Sequence, residues 1–519
     1  MQKLTIRDFD LAGKRVLVRV DFNVPIEDGK VKDDSRIRAT LPTLAHLLAK
    51  NAVVILMSHL GRPKGKVVES ARLRPVAARL SALIGRPVPV TGDALGVGTR
   101  DAVARLKPGQ VLMLENLRFH SEEEANDREF ARTLASYGDI YVNDAFGTAH
   151  RAHASTVGIV EFLPAYAGFL MEREIAALSS LLESDDRPFA AVIGGAKVSG
   201  KLAVLDNLMK RVDAFLIGGG MANTFLVAEG HTVGKSLLER DLVEDARRIL
   251  DNAARKGVQF HLPTDVVVAK EVTRGAEHKI VPVNKIPNSW SVVDIGPDTR
   301  DTFRQALDPA RTVFWNGPLG VFEVPTFGDG TRAIARYLAS RAEAGAMVVV
   351  GGGDSVAAIE ELGLSSKMSH ISTGGGASLE FLEGRELPGV AVIPDRPVEK
   401  APPKVTARKP VPAKAPANNA KSAPAKPVAK AAARRPAKST VKTSSKTAPK
   451  AGAKTATRTP TNTAIKMPTK TATRTPTKTA TRTPPKSVAT KSPNKPPPKA
   501  RSVAAGRNSG RSAGRSAAS

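Results

Sequence analysis

Short runs of β-branched and apolar residues recur along the first 400 positions, separated by longer stretches with helical spacing. The runs at 15–20, 52–57, 111–114, 140–142, 190–193, 214–217, 312–314 and 347–350 are apolar nearly throughout. A strand of that kind is buried on both faces, which calls for a mostly parallel sheet with helices on each side. Amphipathic stretches such as 101–106 and 237–251 supply the helices. Residues 161–184 read as a helical connector near the middle, so the spacing predicts an α/β chain whose two lobes meet there.

Ligands in open α/β sheets bind beyond the carboxyl ends of the strands, and those ends differ between the halves. In the first half they are polar and charged: Asp21-Phe22-Asn23, Ser58-His59-Leu60-Gly61-Arg62, Glu115 to Arg118, and Asn143-Asp144 leading to His150-Arg151. Arg36, His59, Arg62, Arg118, His150 and Arg151 are expected at or just after strand ends. Guanidinium groups take carboxylate and phosphate bidentately, so the set suits a compact, multiply charged substrate. His46, His120 and His153 are read as structural. In the second half the ends are glycine: 194–195, 218–220, Asn316-Gly317-Pro318, 351–353 followed by Asp354, and 374–376. One glycine cluster is a turn or a helix cap. Five at successive strand ends predict backbone N–H groups and helix termini arranged for a polyphosphate.

Residues 195–201 match the spacing of a phosphate-binding P-loop, yet Leu202 stands where that motif needs Ser or Thr for magnesium. The match is treated as chance, although Lys197 and Lys201 remain phosphate ligands at a strand-to-helix turn. Asp354 is the candidate Mg2+ ligand, and Glu323 a partner for a ribose hydroxyl. There is no Ser/His/Asp arrangement and no metal-ligand histidine spacing. A lobe for an anion and a lobe for a nucleotide imply transfer between them, by positioning and charge neutralisation rather than by a general base.

The formal charge of +28 belongs to one end of the chain. Residues 401–519 hold 28 Lys and Arg and no Asp or Glu, leaving 50 basic and 50 acidic residues before them. There is no cysteine, which excludes disulfides, thiolate metal sites and cysteine nucleophiles. The start lacks the apolar core of a signal peptide, and no apolar run is long enough for a bilayer, so a cytoplasmic protein without a membrane span is expected. From about Pro397 the chain turns to Lys, Ala, Pro, Thr and Ser, with an eight-residue repeat (KTATRTPT at 454–461 and 470–477). Such a segment buries too little apolar surface to offset its ordering entropy, so disorder is predicted for 398–519. Spaced cations without aromatic residues resemble linker-histone-type tails, which bind DNA or RNA without reading sequence. A solvated linker, or adhesion to another polyanion, stays open beside that reading, as does association with the nucleoid through the tail.

The motifs DFNVP at 21–25, SHLGRP at 58–63, ENLRF at 115–119, VNDAFGTAHRAHAST at 142–156, GGAKVSGK at 194–201, WNGPLGVFE at 315–323, GGGDS at 351–355 and STGGGASLEF at 372–381 resemble, in order, those of the phosphoglycerate kinase family. The resemblance implies reversible phosphoryl transfer from 1,3-bisphosphoglycerate to MgADP, giving 3-phosphoglycerate and MgATP in glycolysis. It implies a monomer of two Rossmann-like three-layer lobes joined by a hinge helix: 1–170, with 378–397 packing back onto it, and 171–377. It places Asp21, Phe22, Asn23, Arg36, His59, Leu60, Gly61, Arg62, Arg118 and Arg151 on the phosphoglycerate. Lys197, Lys201, Glu323, Gly352, Gly353, Asp354 and Ser355 fall on the nucleotide, with Asp354 on magnesium. Arg36, Lys197 and the N–H groups of Gly375 and Gly376 would stabilise the transferring group. Ser355 stands where the family usually has Thr, and Leu319 where Met is common. The alternatives are a nucleic-acid-associated protein with a vestigial kinase body, or a two-lobed kinase for another carboxylate.

Overall fold

The computed structural model describes residues 2–183 and 185–397; the basic tail predicted for 398–519 lies outside the described residues. The chain enters with β1 (Arg15–Val20) and a small hairpin, β2 (Ile26–Glu27) and β3 (Lys30–Val31). Then come β4 (Val53–Met57), β5 (Val111–Met113), β6 (Ile140–Asp144) and β7 (Ala165–Ala167). These pair in parallel in the order β5-β4-β1-β6-β7, with Val18 beside both Leu56 and Val142. Val16, Val18 and Val20 pack into one face of the sheet and Leu17, Ile55 and Tyr141 into the other. Burial on both faces is why these strands read as unbroken apolar runs.

The second sheet repeats the plan. Its strands are β8 (Phe189–Ile193), β9 (Ala214–Ile217) and β10 (Gln259–His261). An antiparallel insert follows: β11 (Asp265–Ala269), β12 (His278–Pro282) and β13 (Ser291–Ile295). The sheet is completed by β14 (Thr312–Asn316), β15 (Met347–Gly351) and β16 (His370–Ile371), in the parallel order β10-β9-β8-β14-β15-β16. In both sheets the strand order reverses beside the first strand, at β1/β6 and at β8/β14. Those are the switch points where open α/β sheets bind ligands.

All eight expected strands are present to within two residues, and the α/β reading of mostly parallel sheets holds. Three expectations change. Residues 161–184 are not helical throughout: Pro164 cannot join a helix, so β7 forms first and the helix runs over Phe169–Glu183. Helices expected at 101–106 and 237–251 lie at Val97–Ala104 and Val243–Lys256. Arg36 is not at a strand end; it lies in the first turn of the helix Ser35–Ala49, after the β2–β3 hairpin. The antiparallel insert was not among the expected strands: β11 and β13 carry apolar residues, but β12 between them is solvent-facing and breaks the pattern.

The helix Phe169–Glu183 joins the two sheets physically. At its start the Leu170 and Met171 N–H groups donate to Asp144 Oδ1 (2.8 and 3.2 Å), and Phe169 N donates to Thr43 Oγ1 (2.9 Å). One turn on, Glu174, fully buried, accepts from Thr373 N (2.6 Å) and faces His370 Nε2 (3.0 Å). Met171, Ile175, Leu178 and Leu181 pack into the core beneath the second sheet, together with Leu387, Val390 and Ile393 near the end of the described chain. Gly389 N donates to Ala149 O (2.8 Å), Leu4 N to Pro394 O (2.8 Å) and Arg396 N to Gln2 O (2.9 Å). Helix Gly376–Leu382 lies between the two, against the Phe146–Thr148 turn on one side and held by Asn207 Nδ2 on Leu382 O (2.7 Å) on the other.

Candidate active site

Beyond β1 and β6 the first sheet gathers cations around one carboxylate. Arg36 Nη1 donates to Asp21 Oδ2 (2.8 Å), and His59 Nδ1 lies 3.9 Å from Asp21 Oδ1. Asn23 Oδ1 accepts from Gly61 N (2.9 Å), and Arg118 Nη1 donates to Gly61 O (3.0 Å). Arg151 Nε donates to His150 Nε2 (3.0 Å), while Arg62 is exposed and has no ion pair among the described residues. Burial pushes Arg118 down, as do Arg19 and Arg151, with Glu124 countering. Its Nη2 is buried without an acceptor. An orphaned guanidinium N–H is costly unless an anion completes it.

Phe22 and Leu60 are brought to this end of the sheet, but their side chains enter the core. Their backbones do the local work: Phe22 N donates to Ser58 Oγ (3.1 Å) and Leu60 N to Asn116 Oδ1 (3.2 Å). Asn116, which carried no assigned role in the sequence, also accepts from Arg118 N and donates to Leu60 O and Ala71 O. One buried amide therefore ties the His59–Arg62 loop to Arg118.

In the second sheet the expectation of free glycine N–H groups holds only in part. Gly194 N donates to Asn316 O, Gly195 N to Pro318 O, Gly218 N to Ile193 O and Gly219 N to Leu319 O (2.8–3.0 Å). These N–H groups are engaged by backbone carbonyls of the neighbouring strand ends. A Cβ on Gly194 would collide with the Pro318 carbonyl, and one on Gly219 would come within 2.7 Å of Gly195 backbone atoms. Their absent side chains let three strand ends pack backbone against backbone. The N–H groups without intrahelical acceptors are those opening the helices Gly353–Glu361 and Gly376–Leu382. Gly352, Gly353, Asp354 and Ser355 stand at the first of these and Gly375 and Gly376 at the second.

Lys201 lies beside that first helix, its Nζ 3.4 Å from Asn316 O. Burial lowers its pKa to about 8, with Asp354 the charge that opposes the shift. Asn316 Nδ2 is buried with no acceptor, so an ammonium and an amide donor are both left short of an anion. Ser355 Oγ accepts from Gly317 N (2.5 Å), fixing the 315–318 turn to the helix start. Lys197 is exposed on the glycine turn after β8.

Next to these donors is a cavity of about 510 Å3 walled by Leu226, Val266, Val293, Pro318 and Leu319, with Glu323 and Asp354 also in its lining. None of those apolar walls was assigned from the sequence. Runs 265–269 and 291–295, bounded by Pro263 and Gly296-Pro297, were the available signal. Asp294, pushed up to about 7 by burial, accepts from Gly330 N and Ile295 N and braces one side of the cavity.

The description of phosphoglycerate kinase as a family matches residues 6–385. The chain belongs to the phosphoglycerate kinase family. It is 59% identical to phosphoglycerate kinase of Roseiflexus castenholzii over 397 residues, 76% of this chain and all of that protein. It is 57% identical over 396 residues to that of Moorella thermoacetica, with the same coverage. Among solved structures, phosphoglycerate kinase from Coxiella burnetii superposes with a TM-score of 0.68 at 41% identity, covering 75% of this chain and 98% of that one. The enzyme from Pyrococcus horikoshii superposes with the same TM-score at 36% identity. The likeness to kinases of this family thus spans both sheets and leaves the basic tail aside.

Proposed function

We propose that this chain catalyses the reaction its family is named for, reversible phosphoryl transfer between 1,3-bisphosphoglycerate and MgADP giving 3-phosphoglycerate and MgATP. The observation that carries the reading is a pair of incompletely satisfied donor sets: Arg118 Nη2, without an acceptor, in the first sheet, and in the second Lys201 Nζ, whose one bond is a 3.4 Å contact to Asn316 O, beside the acceptorless Asn316 Nδ2. One is a guanidinium suited to a carboxylate or phosphate, the other an ammonium beside an apolar cavity suited to a nucleoside polyphosphate. The acceptor is a carboxylate, already ionised at neutral pH, so no general base is needed.

In this reading residues 1–170, with 378–397, form the phosphoglycerate lobe and 171–377 the nucleotide lobe. Asp21, Asn23, Arg36, His59, Arg62, Arg118 and Arg151 hold the phosphoglycerate, with Phe22, Leu60 and Gly61 shaping its loops. Lys197, Lys201, Glu323 and 352–355 hold the nucleotide. Arg36, Lys197 and the N–H groups of Gly375 and Gly376 face the charge on the phosphoryl group in flight. The protein acts as a monomer. Among the described residues no cluster of three His, Cys, Asp or Glu side chains could hold a metal alone. Asp354 is exposed, in the first turn of a helix beside Lys201. That suits Mg2+, which takes one or two carboxylates and completes its shell with phosphates and water. Mg2+ when bound neutralises phosphate charge.

Among the described residues no helix is long and apolar enough to cross a membrane, which fits a glycolytic enzyme of the cytoplasm. For the tail, nucleic acid is the favoured partner, because 28 cations against no anions exceeds what solubility needs. One experiment addresses both halves: a coupled assay with ATP and 3-phosphoglycerate, and a DNA mobility shift, on the full chain and on one ending at residue 400. Both chains should turn over. Only the full chain should shift DNA, losing affinity steeply as salt rises. Turnover by neither removes the enzymatic reading, and equal DNA binding by both removes the tail's role.

Lys201 gives the nucleotide lobe a pH signature. A phosphate beside Nζ favours the charged lysine, so its pKa rises again in the complex. Affinity for MgADP is therefore full below about pH 8 and falls above it, by up to about tenfold per pH unit until the bound-state pKa is passed. Calorimetric titration from neutrality to about pH 9.5 should show the decline, and Lys201→Arg, charged throughout, should flatten it. Equal affinity across that range in the unaltered protein would exclude Lys201 from the phosphate site.

A further inference from the structure

Arg19 sits on β1 between Met57 and Asn143 in register, both fully buried, and it is itself 0% exposed. Replacing a buried ion pair as a whole by well-packed apolar residues is often neutral, whereas removing this guanidinium alone would leave Glu123 buried and unpaired, so what Arg19 is bonded to matters. Its contacts account for each part of the fork. Nε donates to Ser155 Oγ (2.8 Å), Nη1 to Val20 O (2.5 Å), and Nη2 lies 3.2 Å from His59 Nδ1 and 3.8 Å from Glu123 Oε1. Glu123, equally buried, accepts from Ser155 Oγ (2.5 Å) and Ser155 N (3.0 Å). The guanidinium is thus held on three sides and aimed at the imidazole.

Arginine has N–H groups and no acceptor. At 3.2 Å from its Nη2, His59 Nδ1 can only be the acceptor, and a neutral ring accepting at Nδ1 carries its proton on Nε2. Among the described residues nothing bonds Nε2. The charged groups around the ring are Arg19, Arg36, Arg118 and Arg151, with Asp21 3.9 Å from Nδ1 and already bound to Arg36. Burial first, and then Arg19 before the other guanidiniums, holds His59 well below its ordinary value.

We propose that Arg19 is a positioning residue which locks His59 as the neutral Nε2–H tautomer, so that the ring meets the anionic substrate as a fixed hydrogen-bond donor. This rests on the reading of His59 as a phosphoglycerate ligand. Without Arg19 the Asp21 carboxylate would draw the proton to Nδ1, and a neutral ring would then turn a lone pair toward the substrate. An imidazolium would still donate, so the defect is confined to pH values above the histidine's pKa.

The test is a long-range 1H–15N spectrum of the full chain labelled in its nine histidines, with His59 assigned through His59→Gln. His59 should stay neutral and protonated at Nε2 across the range in which an ordinary histidine titrates and up to about pH 8. A ring protonated at Nδ1, or an imidazolium at neutral pH, overturns the proposal, and this measurement needs no Arg19 variant to fold. In Arg19→Met, where burial and the remaining guanidiniums still keep the ring neutral, the proton should move to Nδ1, and KM for 3-phosphoglycerate relative to the unaltered enzyme should rise about tenfold, with kcat less affected. The ratio of KM values removes the substrate phosphate's own ionisation. Arg19→Lys should restore part of the loss. An equal fall at every pH with the His59 tautomer unchanged would make Arg19 structural and overturn the proposal. Absence of turnover in the unaltered protein would instead sink the phosphoglycerate reading, while the spectrum still decides the tautomer.

Discussion

Replacing Arg36 by methionine should lower kcat about a thousandfold, the loss expected when a guanidinium that neutralises a transferring phosphoryl group is removed. Two costs combine in this variant. The first is the missing fork at the phosphoryl group. The second comes from Asp21, whose Oδ2 accepts from Arg36 Nη1 at 2.8 Å and which is otherwise faced by His59 at 3.9 Å. Asp21 is 8% exposed, so deleting Arg36 leaves a buried carboxylate without its counter-charge at a site that must accept an anion. KM for 3-phosphoglycerate should therefore rise together with the fall in kcat. Adding Asp21→Asn separates the costs: KM should recover in large part while kcat does not. Arg36→Lys keeps the charge but not the bidentate fork and should fall between. Steady-state kinetics in both directions measure all three variants. A kcat for Arg36→Met within about threefold of the unaltered enzyme would remove Arg36 from the reacting centre.

The same residue shows what a sequence discloses and what it withholds. The eight strands were legible because each is buried on both faces, and an unbroken apolar run is the direct consequence. Arg36 was recognisable as an anion ligand by type and motif, yet its place on a helix depends on the β2–β3 hairpin, two strands of two residues with no periodicity to detect. Lys201 was legible as a phosphate ligand, but its burial and the unfilled Asn316 amide arise only when β8, β14 and the Gly353–Glu361 helix come together. Arg19 was not distinguishable at all. In the run RVLVRV it is one more polar residue in a strand, and its value lies in Ser155, Glu123 and His59, brought to it from 40 to 136 positions away. The glycines are the instructive partial failure. Their clustering at strand ends is plain in the sequence, but the cause at Gly194, Gly195, Gly218 and Gly219 is close backbone packing rather than open N–H groups.

That distinction makes Gly317→Ala the largest stability effect expected among the glycine turns. Gly317 has φ +97°, and a Cβ there would run into the carbonyl of Gly194 and reach within 3.0 Å of Gly195 N. Those atoms cannot retreat. Gly194 N is bound to Asn316 O at 2.9 Å, and Gly194 itself already lies against the Pro318 carbonyl. Gly317 is pinned as well, its N–H on Ser355 Oγ at 2.5 Å and its carbonyl accepting from Trp315 Nε1 at 2.9 Å. Backbone strain and overpacking together should cost about 3–5 kcal/mol, read as a fall in Tm of about 10 °C. Gly230 supplies the control, with φ +95° and no atom within 4 Å of the added carbon. Gly230→Ala carries the strain alone and should cost about 1 kcal/mol. If the two variants melt together, close packing of the strand ends is not what the glycines provide. If Gly317→Ala melts far lower, the turn that orders Asn316 beside Lys201 is built from backbone, and affinity for nucleotide should fall with stability while binding of 3-phosphoglycerate to the first lobe is retained.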